Sequence, residues 1–492
     1  MSNLTRVKKM KTKMMLCMAA LALMATACNQ KEEYIPEQPV KGVPFTATVT
    51  AESISSKALT DNTTTLGFNW VEDETLALIY EVGGTPYNTT AMVASVDGSG
   101  TATITATLED GVTNNTPVSI VYPASAVSGT SDTILESVIT TQNGALAGRD
   151  IRKGSGTIKV TSGTASLAGG ATLAAQYAIC KFEIKDVDGS NSLPVTSLVI
   201  KDASDNIITT VTPASAASTL YVTLPATTGT LWFEAVSSGV PYVTKGTASL
   251  SAGNFYHPTM RMATIFNIIG ADGKFYKNKA GAVAASTTAA AIIAYLGNDT
   301  AETGYQHGLA IAMKNCGTSS YRWRADGLSG TDNGTGHQFT TYSDALAAKE
   351  SGLTLSDGKD NETNYPAFYA AIHNDLNLSA ETGMTASLPA SGTSTWFLPS
   401  VFQWNQIMCG LTGNDSGLTT IENEVYRANN LNALFSAATG SDNCWFIAST
   451  PTVHTSSEYD ATNRWGYQSS GSGGKLVYGT KAYSYVRAAL AF

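Results

Sequence analysis

The chain has 492 residues, a formal net charge of -9 and only 14% charged residues, against about 25% in an average soluble domain. Its length allows about two to four domains of the usual size. The acidic balance argues against nucleic acids and anionic membrane surfaces as partners, because phosphate groups are bound by clustered Lys and Arg.

Residues 1–27 have the three regions of a secretory signal peptide. Basic residues without any acid lie between Arg6 and Lys13, and an apolar run follows from Met14 to Met24. This run is shorter than the ~20 apolar residues that span a bilayer. A basic start, a short apolar run and small residues before the cut are typical of an exported protein.

The small residues at 25–27 are followed directly by Cys28. This pattern resembles the lipobox of bacterial lipoproteins, although Ala25 replaces the commoner Leu. The resemblance implies a cut before Cys28, acylation of Cys28 (palmitate) and a lipid-anchored tether at 28–43. The alternative is an ordinary cleaved signal that leaves Cys28 as a thiol. The sequence NQKEE at 29–33 resembles the signal that sends lipoproteins of Bacteroidales-type bacteria to the outer face of the outer membrane.

The region from 44 to 262 consists of short runs with strand patterns. Phe45–Ala51 alternates apolar and polar β-branched residues, as a half-buried strand does. Similar runs lie at 66–70, 75–80, 101–108, 118–122, 176–185, 195–201, 220–224 and 231–235. Many short strands without intervening helices predict a mainly β fold with two antiparallel sandwiches, at 44–172 and 173–262.

The motifs FTATV at 45–49, FNW at 68–70, EDETLA at 72–77 and VYPA at 121–124 occur in the order found in fimbrillin-like proteins. Residues 28–262 resemble that family, which implies transthyretin-like sandwich domains in a type V pilus subunit. In such subunits a trypsin-like protease removes the first strand, and a strand of the next subunit fills the groove. This is β-augmentation, in which unpaired backbone groups take up a new strand.

On this chain the removable strand corresponds to 44–57, and the cut falls between Lys57 and Ala58. No arginine lies between Arg6 and Arg149, so the expected cut is at a lysine. Lys41 is the alternative, but it precedes the strand, and cutting there releases the lipid without opening a groove. Lys57 is otherwise simply a solvated loop residue.

From residue 263 the pattern changes to an α+β domain that we place at 263–492. The sequence predicts a hairpin at 266–276. It also predicts helices at 287–296, 343–351, 367–376 and 399–410 and strands at 444–450 and 483–490. Ser400 and Gln403 have the spacing of a capping box.

Three motifs in this domain, WFLP at 396–399, WFIAST at 445–450 and VRAALAF at 486–492, resemble secreted domains related to C-type-lectin-like folds and to the formylglycine-generating enzyme. Phe446–Ala448 and Ala488 depart from the usual motif. The resemblance implies a lectin-like fold.

Neither an enzyme nor a cofactor or metal site is expected. The oxidase relatives use two close cysteines, whereas Cys409 and Cys444 come from different motifs. The histidines lack zinc-ligand spacing, and no GxSxG motif occurs. Cys409 and Cys444 are either buried apolar residues, like Cys180 and Cys316, or a disulfide.

Two segments, at 321–324 and 459–467, place aromatic residues beside polar ones. Aromatic faces stack on sugars or peptides while polar neighbours fix orientation. The predicted ligand-binding residues are Trp323, Arg324, Asn463, Arg464 and Trp465. In the alternative, the tryptophans fill the core of a loop-rich domain.

These observations lead to one functional hypothesis and one alternative. The hypothesis is a tip or minor subunit of a surface fimbrium, which is anchored in the outer membrane before processing. It accepts a donor strand from another fimbrial subunit and presents a C-terminal domain that binds a host or bacterial surface ligand, either glycan or protein. The alternative is a surface lipoprotein that binds glycan or protein ligands and does not polymerise.

Overall fold

The computed structural model describes the chain from residue 42 onward, with internal gaps. The described residues are 42–52, 56–61, 66–97, 100–317, 320–325, 328, 332–333, 336–374, 392–412, 428–439, 452–470, 473–481 and 483–492. The expectations for the signal peptide, Cys28, the tether and Lys41 lie outside these ranges, as do those for 444–450 and Cys444. Within the described ranges, no helix is both long and apolar enough to cross a membrane.

The first unit is built from short strands that follow one another closely. Its strands are β1 (Val43–Ala51), β2 (Ser56–Asp61), β3 (Leu66–Phe68), β4 (Thr75–Val82), β5 (Thr85–Val96), β6 (Thr101–Leu108), β7 (Thr116–Tyr122), β8 (Thr141–Gln142), β9 (Arg152–Thr161), β10 (Thr164–Leu167) and β11 (Ala171–Ala175). A 3-10 turn at Ala124–Ala126 and the four-residue helix α1 (Ser137–Thr140) are inserted between them.

Eight of these strands form one sheet in the order β10-β1-β11-β9-β7-β4-β5-β6, and β1–β6 and β9–β10 pairs close it into a ring. Apolar side chains from opposite sides of the ring meet inside it, among them Phe45, Leu78, Ile104 and Leu173. The mainly β prediction is confirmed. What the pattern did not predict is that β1 runs parallel to β10 and β11.

The second unit is a sandwich of two sheets. Its strands are β12 (Ala178–Asp186), β13 (Ser197–Lys201), β14 (Ile207–Val211), β15 (Thr219–Leu224), β16 (Thr227–Ser237), β17 (Val240–Leu250), β18 (Phe255–Tyr256) and β19 (Thr259–Met262). One sheet has the order β15-β12-β18 with β19 also on β12, and the other has the order β17-β16-β13-β14-β8. Phe182, Ile200 and Phe233 pack between the two sheets.

The first sheet extends slightly beyond the predicted boundary at 172, and a short strand from the first part of the chain joins the second unit. Strand β11 still belongs to the first sheet, whereas β8 pairs with β14 of the second unit. Gln142 in β8 donates to the carbonyl of Thr223 at 2.7 Å and accepts its N–H at 2.9 Å. The Gln142 side chain therefore links β8 to β15 in the other sheet of the second unit, a contact between residues 81 positions apart that local patterning does not predict.

The third unit has a central sheet with helices on both sides. Its elements are β20 (Ile268–Gly270), β21 (Phe275–Tyr276), α2 (Lys279–Ala284), β22 (Ala289–Leu296), β23 (Gly308–Ala312), β24 (Tyr321–Arg322), α3 (Tyr342–Ala347), α4 (Gly352–Ser356), α5 (Pro366–Ile372), α6 (Val401–Thr412), α7 (Ala428–Thr439), β25 (Thr452–Glu458), β26 (Asn463–Ser470), β27 (Gly473–Thr480), β28 (Tyr483–Ser484) and β29 (Ala489–Ala491). The sheets are β21-β20-β22-β23-β29, β24-β28 and β25-β26-β27.

The hairpin at 266–276 and the helices at 343–351, 367–376 and 399–410 are confirmed as β20–β21, α3, α5 and α6. The helix predicted at 287–296 is wrong, because these residues form β22 in the middle of the central sheet. Ile292 packs on the side of α6, and Ile293 packs on the side of α5. A strand buried on both faces has no alternation, so periodicity cannot distinguish it from a buried helix.

The predicted capping box is confirmed at the start of α6. Ser400 Oγ accepts the N–H of Gln403 at 3.2 Å, and Gln403 Oε1 accepts the N–H of Ser400 at 3.0 Å. The same Oε1 accepts the N–H of Gly352 at 3.0 Å. A Cβ at position 352 would overlap Gln403 Oε1, so only glycine allows this close approach.

Candidate functional site

Strand β1 carries the in-and-out alternation that the sequence predicts. Phe45, Ala47 and Val49 are 2%, 6% and 0% exposed, whereas Thr46 and Thr48 face solvent. Burying a side chain of the size of Phe or Val stabilises the fold by about 1.5–3 kcal/mol. Burial of these side chains therefore stabilises β1 in its position in the ring.

Both edges of β1 are paired. On one side it forms an antiparallel ladder with β6, from Val43 opposite Leu108 to Thr50 opposite Thr101. On the other side it runs parallel to β10 and then to β11. Removing β1 from this arrangement leaves two unpaired edges and three apolar sites between them.

Arg152 holds the point where the chain leaves β1. Its guanidinium is 1% exposed, and Nη1 donates to the carbonyl oxygens of Glu52 at 2.7 Å and of Leu173 at 3.3 Å. Its Nε pairs with Asp150 at 2.8 Å. Because Arg152 is 100 residues from Glu52, no spacing in the sequence points to this contact.

The predicted cleavage point lies in strand β2, which forms a two-stranded sheet with β3 among the described residues. Ser56 is opposite Phe68 and Thr60 is opposite Gly67, with a break in register between them. Lys57 and Ala58 lie in this break. A protease binds its substrate as an extended segment whose backbone N–H and C=O groups are not paired with another strand. The break in register at Lys57 and Ala58 therefore favours cleavage there.

The tryptophans that were candidates for ligand stacking lie in the core. Trp323 and Trp465 are 0% and 1% exposed. Their indole N–H groups donate to the carbonyl oxygens of Thr455 at 2.6 Å and of Phe339 at 2.9 Å. This corrects the expectation that the two rings stack on a ligand, because neither ring has a face open to solvent.

The polar members of the predicted site also have structural partners. Arg324 pairs with Asp332 at 2.8 Å. Arg464 is buried and donates to Ser484 Oγ, and burial lowers the pKa of its guanidinium to about 10. Asn463 donates to Asp460 at 2.9 and 3.0 Å. The structure thus uses these side chains to hold loops.

Two tyrosines of the third unit whose rings do face solvent were not predicted from the sequence. Tyr478 and Tyr483 are each 60% exposed. Tyr478 stacks on Tyr459 with ring centroids 4.2 Å apart, and the Arg322 guanidinium lies 4.7 Å from the Tyr483 ring centroid. Tyr459 and Arg322 lie within the two segments selected from the sequence, so the segments were informative although the residues chosen in them were buried.

A charged cluster joins the second unit to the third. Lys201 Nζ lies 2.8 Å from both Glu234 and Asp205, and His307 Nδ1 lies 2.7 Å from Glu234. The His307 ring stacks on Trp232 at 3.8 Å. Glu234, Asp205 and His307 could supply three metal ligands, but the Lys201 ammonium already occupies the place between the carboxylates.

Burial alone would raise the pKa of the Glu234 carboxyl. Hydrogen bonds from His307 and Lys201 outweigh burial and lower that pKa. A cavity of about 1370 Å³ lies beside this junction and is lined by Trp232, Lys245 and Phe275 among others. None of the five predicted ligand-binding residues lines it.

Cys180, Cys316 and Cys409 are buried. Burial raises the pKa of the Cys180 and Cys316 thiols to about 12, so both stay protonated and unreactive at neutral pH. The alternative of a disulfide between Cys409 and Cys444 is not tested, because Cys444 lies outside the described residues.

No family model matches the chain, and no curated protein matches it significantly. Among solved structures, it is similar to a fimbrial protein from Bacteroides ovatus, with 13% identity, a TM-score of 0.32 and coverage of 92% of this chain and 99% of that one. It is also similar to a fimbrial assembly protein from Parabacteroides distasonis, with 11% identity, a TM-score of 0.27 and coverage of 44% of this chain and 90% of that one. At these identities and scores the similarity does not assign a function.

Proposed function

We propose that the chain is a subunit of a surface fimbrium, and that its first unit accepts a donor strand in place of β1. The observation that carries this proposal is the position of β1, which closes the ring between β6 on one side and β10 and β11 on the other. A segment that contains Lys57 follows directly. Cutting after Lys57 separates β1 from the rest of the chain and opens a groove with unpaired edges.

The groove specifies what can fill it. A replacement strand needs an extended backbone and apolar side chains at alternate positions. Its three inward residues take the sites of Phe45, Ala47 and Val49, in the order large, small and medium. The site of Ala47 lies opposite Ile104, which leaves little room for a larger side chain there.

The location of β29 supports a place at the tip. Ala489–Ala491 pairs with β23 on one side, and Ala489 also bridges to Phe397 on the other side. The strand is fully buried. This segment is therefore committed to its own sheet and cannot serve as a donor strand for a neighbour without unfolding the third unit.

At the tip, the third unit provides the adhesive surface. Its Tyr478 and Tyr483 are exposed, and the guanidinium of Arg322 lies 4.7 Å from the centroid of the Tyr483 ring. Aromatic rings of this kind bind sugars and proteins by stacking, while polar neighbours fix orientation. The ligand is a glycan or a protein on a host or bacterial surface.

Acylated Cys28 is then a temporary anchor. It carries the chain to the outer membrane and keeps β1 in place during export. After the cut at Lys57 the lipid leaves together with β1, and the subunit is held by the donor strand alone.

Treating the purified lipoprotein with a lysine-specific protease and sequencing the new N-terminus tests the first part. We expect a new N-terminus at Ala58 in the wild type and in a Lys41→Gln variant. We expect no N-terminus at residue 58 in Lys57→Gln. Trimming at Lys41 alone, with Lys57 intact, counts against the fimbrial subunit and favours the surface lipoprotein that does not polymerise.

Glycan and glycoprotein arrays with the full chain test the adhesive surface. We expect Tyr483→Ser or Tyr478→Ser to weaken binding without loss of stability, because both side chains are exposed. Val240→Ser is the matched control, since Val240 is 41% exposed on the second unit. Binding that is equally unaffected by all three substitutions rules out this surface.

A further inference from the structure

Three ionisable side chains meet in the interior of the third unit, at the end of β27. Lys481 Nζ lies 2.7 Å from Asp332 Oδ2 and also contacts Glu458 Oε1. The side chains of Lys481, Asp332 and Glu458 are 4%, 6% and 0% exposed. An amine, a carboxyl group and a second carboxyl group are thus in contact and shielded from water.

The surrounding contacts hold this triad in one geometry. The Glu458 carboxylate accepts the backbone N–H groups of Asp332 at 3.0 Å and of Asn333 at 3.2 Å. The Lys481 ammonium lies 4.7 Å from the centroid of the buried Trp323 ring. Preorganised reacting groups of this kind avoid most of the entropy that bringing them together would cost.

Arg324 completes the arrangement on the carboxyl side. Its Nη1 donates to Asp332 Oδ2 at 2.8 Å, the same oxygen that Lys481 approaches. A guanidinium at this position stabilises negative charge that develops on the oxygen when a nucleophile attacks the carboxyl carbon.

We propose that Lys481 and Asp332 condense to form an intramolecular isopeptide bond, with Glu458 as the proton carrier. The Lys481 ammonium gives a proton to Glu458, and the free amine attacks the carboxyl carbon of Asp332. A carbon–oxygen bond of Asp332 breaks as the new carbon–nitrogen bond forms. The departing oxygen takes up two protons that come from the amine nitrogen, one of them carried by Glu458, and leaves as water.

This reaction balances without any other reagent. One ammonium and one carboxylate become one amide and one water, and no group is oxidised or reduced. Burying several charges is costly even when they are paired. The condensation removes one positive and one negative charge from the interior and leaves an amide that Arg324 can still donate to.

An exposed pair in the same chain provides an internal comparison. Lys349 lies 2.7 Å from Asp299, but the two side chains are 56% and 40% exposed. Water solvates an exposed ion pair and weakens the interaction between its members, so burial does not favour their condensation. Similar proximity without burial therefore predicts an ordinary ion pair.

The covalent bond would join residue 332 to residue 481, which are 149 positions apart. It fixes the end of β27 to the loop that precedes α3. A mechanical force applied to the third unit is then resisted at this point by a covalent bond instead of a salt bridge. This inference does not depend on the proposed function, because it rests only on the geometry of the triad.

The test is the intact mass of the purified mature chain under denaturing conditions. We expect a mass lower by one water than the sequence requires. Lysine-specific digestion should fail at Lys481 and yield a branched peptide that joins it to Asp332, whereas Lys349 should be cut normally. Glu458→Gln and Lys481→Arg should restore the full mass, and Lys349→Arg should retain the water loss.

Several results overturn the proposal. One is a wild-type mass that equals the full sequence mass after prolonged incubation. Another is a water loss that persists in Lys481→Arg or that is found in a linear peptide, as a succinimide formed at Asp332 would give. If Glu458→Gln does not fold, the wild-type mass and the branched peptide still decide the question.

Discussion

The site of Phe45 offers the sharpest test of the proposed strand exchange. After a cut at Lys57, β1 stays in the ring only through non-covalent contacts. Phe45 is 2% exposed and packs in the core of the ring. Truncating a buried Phe to Ala costs about 3–5 kcal/mol, so Phe45→Ala should weaken retention of the strand by this amount.

Each ~1.4 kcal/mol changes an equilibrium constant tenfold. The dissociation constant of the β1 segment should therefore rise by roughly two to four powers of ten. The assay is fluorescence anisotropy with a labelled peptide of residues 43–52, which exchanges with the bound segment of the nicked protein. The peptide is made as wild type, as Phe45→Ala and as Thr46→Ala.

Thr46→Ala is the matched control, because Thr46 is the next residue and faces solvent. Surface substitutions usually change stability by less than about 0.5 kcal/mol. The reasoning is refuted if the two variant peptides bind within about threefold of each other, since the groove would then not recognise the inward side chains.

Three further outcomes are expected. Arg152→Met leaves a buried carboxylate without its cation, which costs about 3–5 kcal/mol. It should therefore speed cutting at Lys57 by a lysine-specific protease, and unchanged cutting would contradict the role of Arg152 at the end of β1. Burial opposes ionisation of Glu234, but its histidine and lysine partners lower the pKa of that carboxyl below the ordinary value of about 4.3. The stability it contributes is therefore present above about pH 4.3 and lost as the pH falls further, so the melting temperatures of wild type and Glu234→Gln should converge on acidification and not stay parallel. Gln403→Ala leaves two buried N–H groups without an acceptor, each worth about 1–3 kcal/mol; in thermal denaturation it should lower stability well beyond Gln406→Ala, and equal effects of the two would argue against the capping network.

Strands with one buried face show a clear pattern in the sequence. β1 and β6 each alternate between buried and exposed residues, and this alternation is visible locally because the side-chain period of a strand is two. The error at β22 has the opposite cause. Its residues are buried on both faces, so the same apolar run fits a strand or a helix.

The candidate ligand site shows a different limit. Aromatic residues beside polar ones occur both at binding surfaces and in loop-rich cores. Trp323 is buried and donates to the carbonyl oxygen of Thr455, 132 residues away. Tyr483, which lies opposite the neighbouring Arg322 in the β24–β28 pair, is exposed. No local feature distinguishes the two, since burial depends on which distant segments cover each ring.

The sequence by itself determined the local features of this protein. These are the alternation of β1, the capping box of α6 and the presence of Lys57 shortly after the first strand, in a stretch without arginine. Only the tertiary structure decided that β1 closes a ring, that Arg152 holds its end, and that Lys481 meets Asp332 and Glu458 in the interior. The physical reason is range. Alternation and capping depend on neighbours within a few residues, whereas pairing, burial and contact between charged groups depend on residues a hundred or more positions apart.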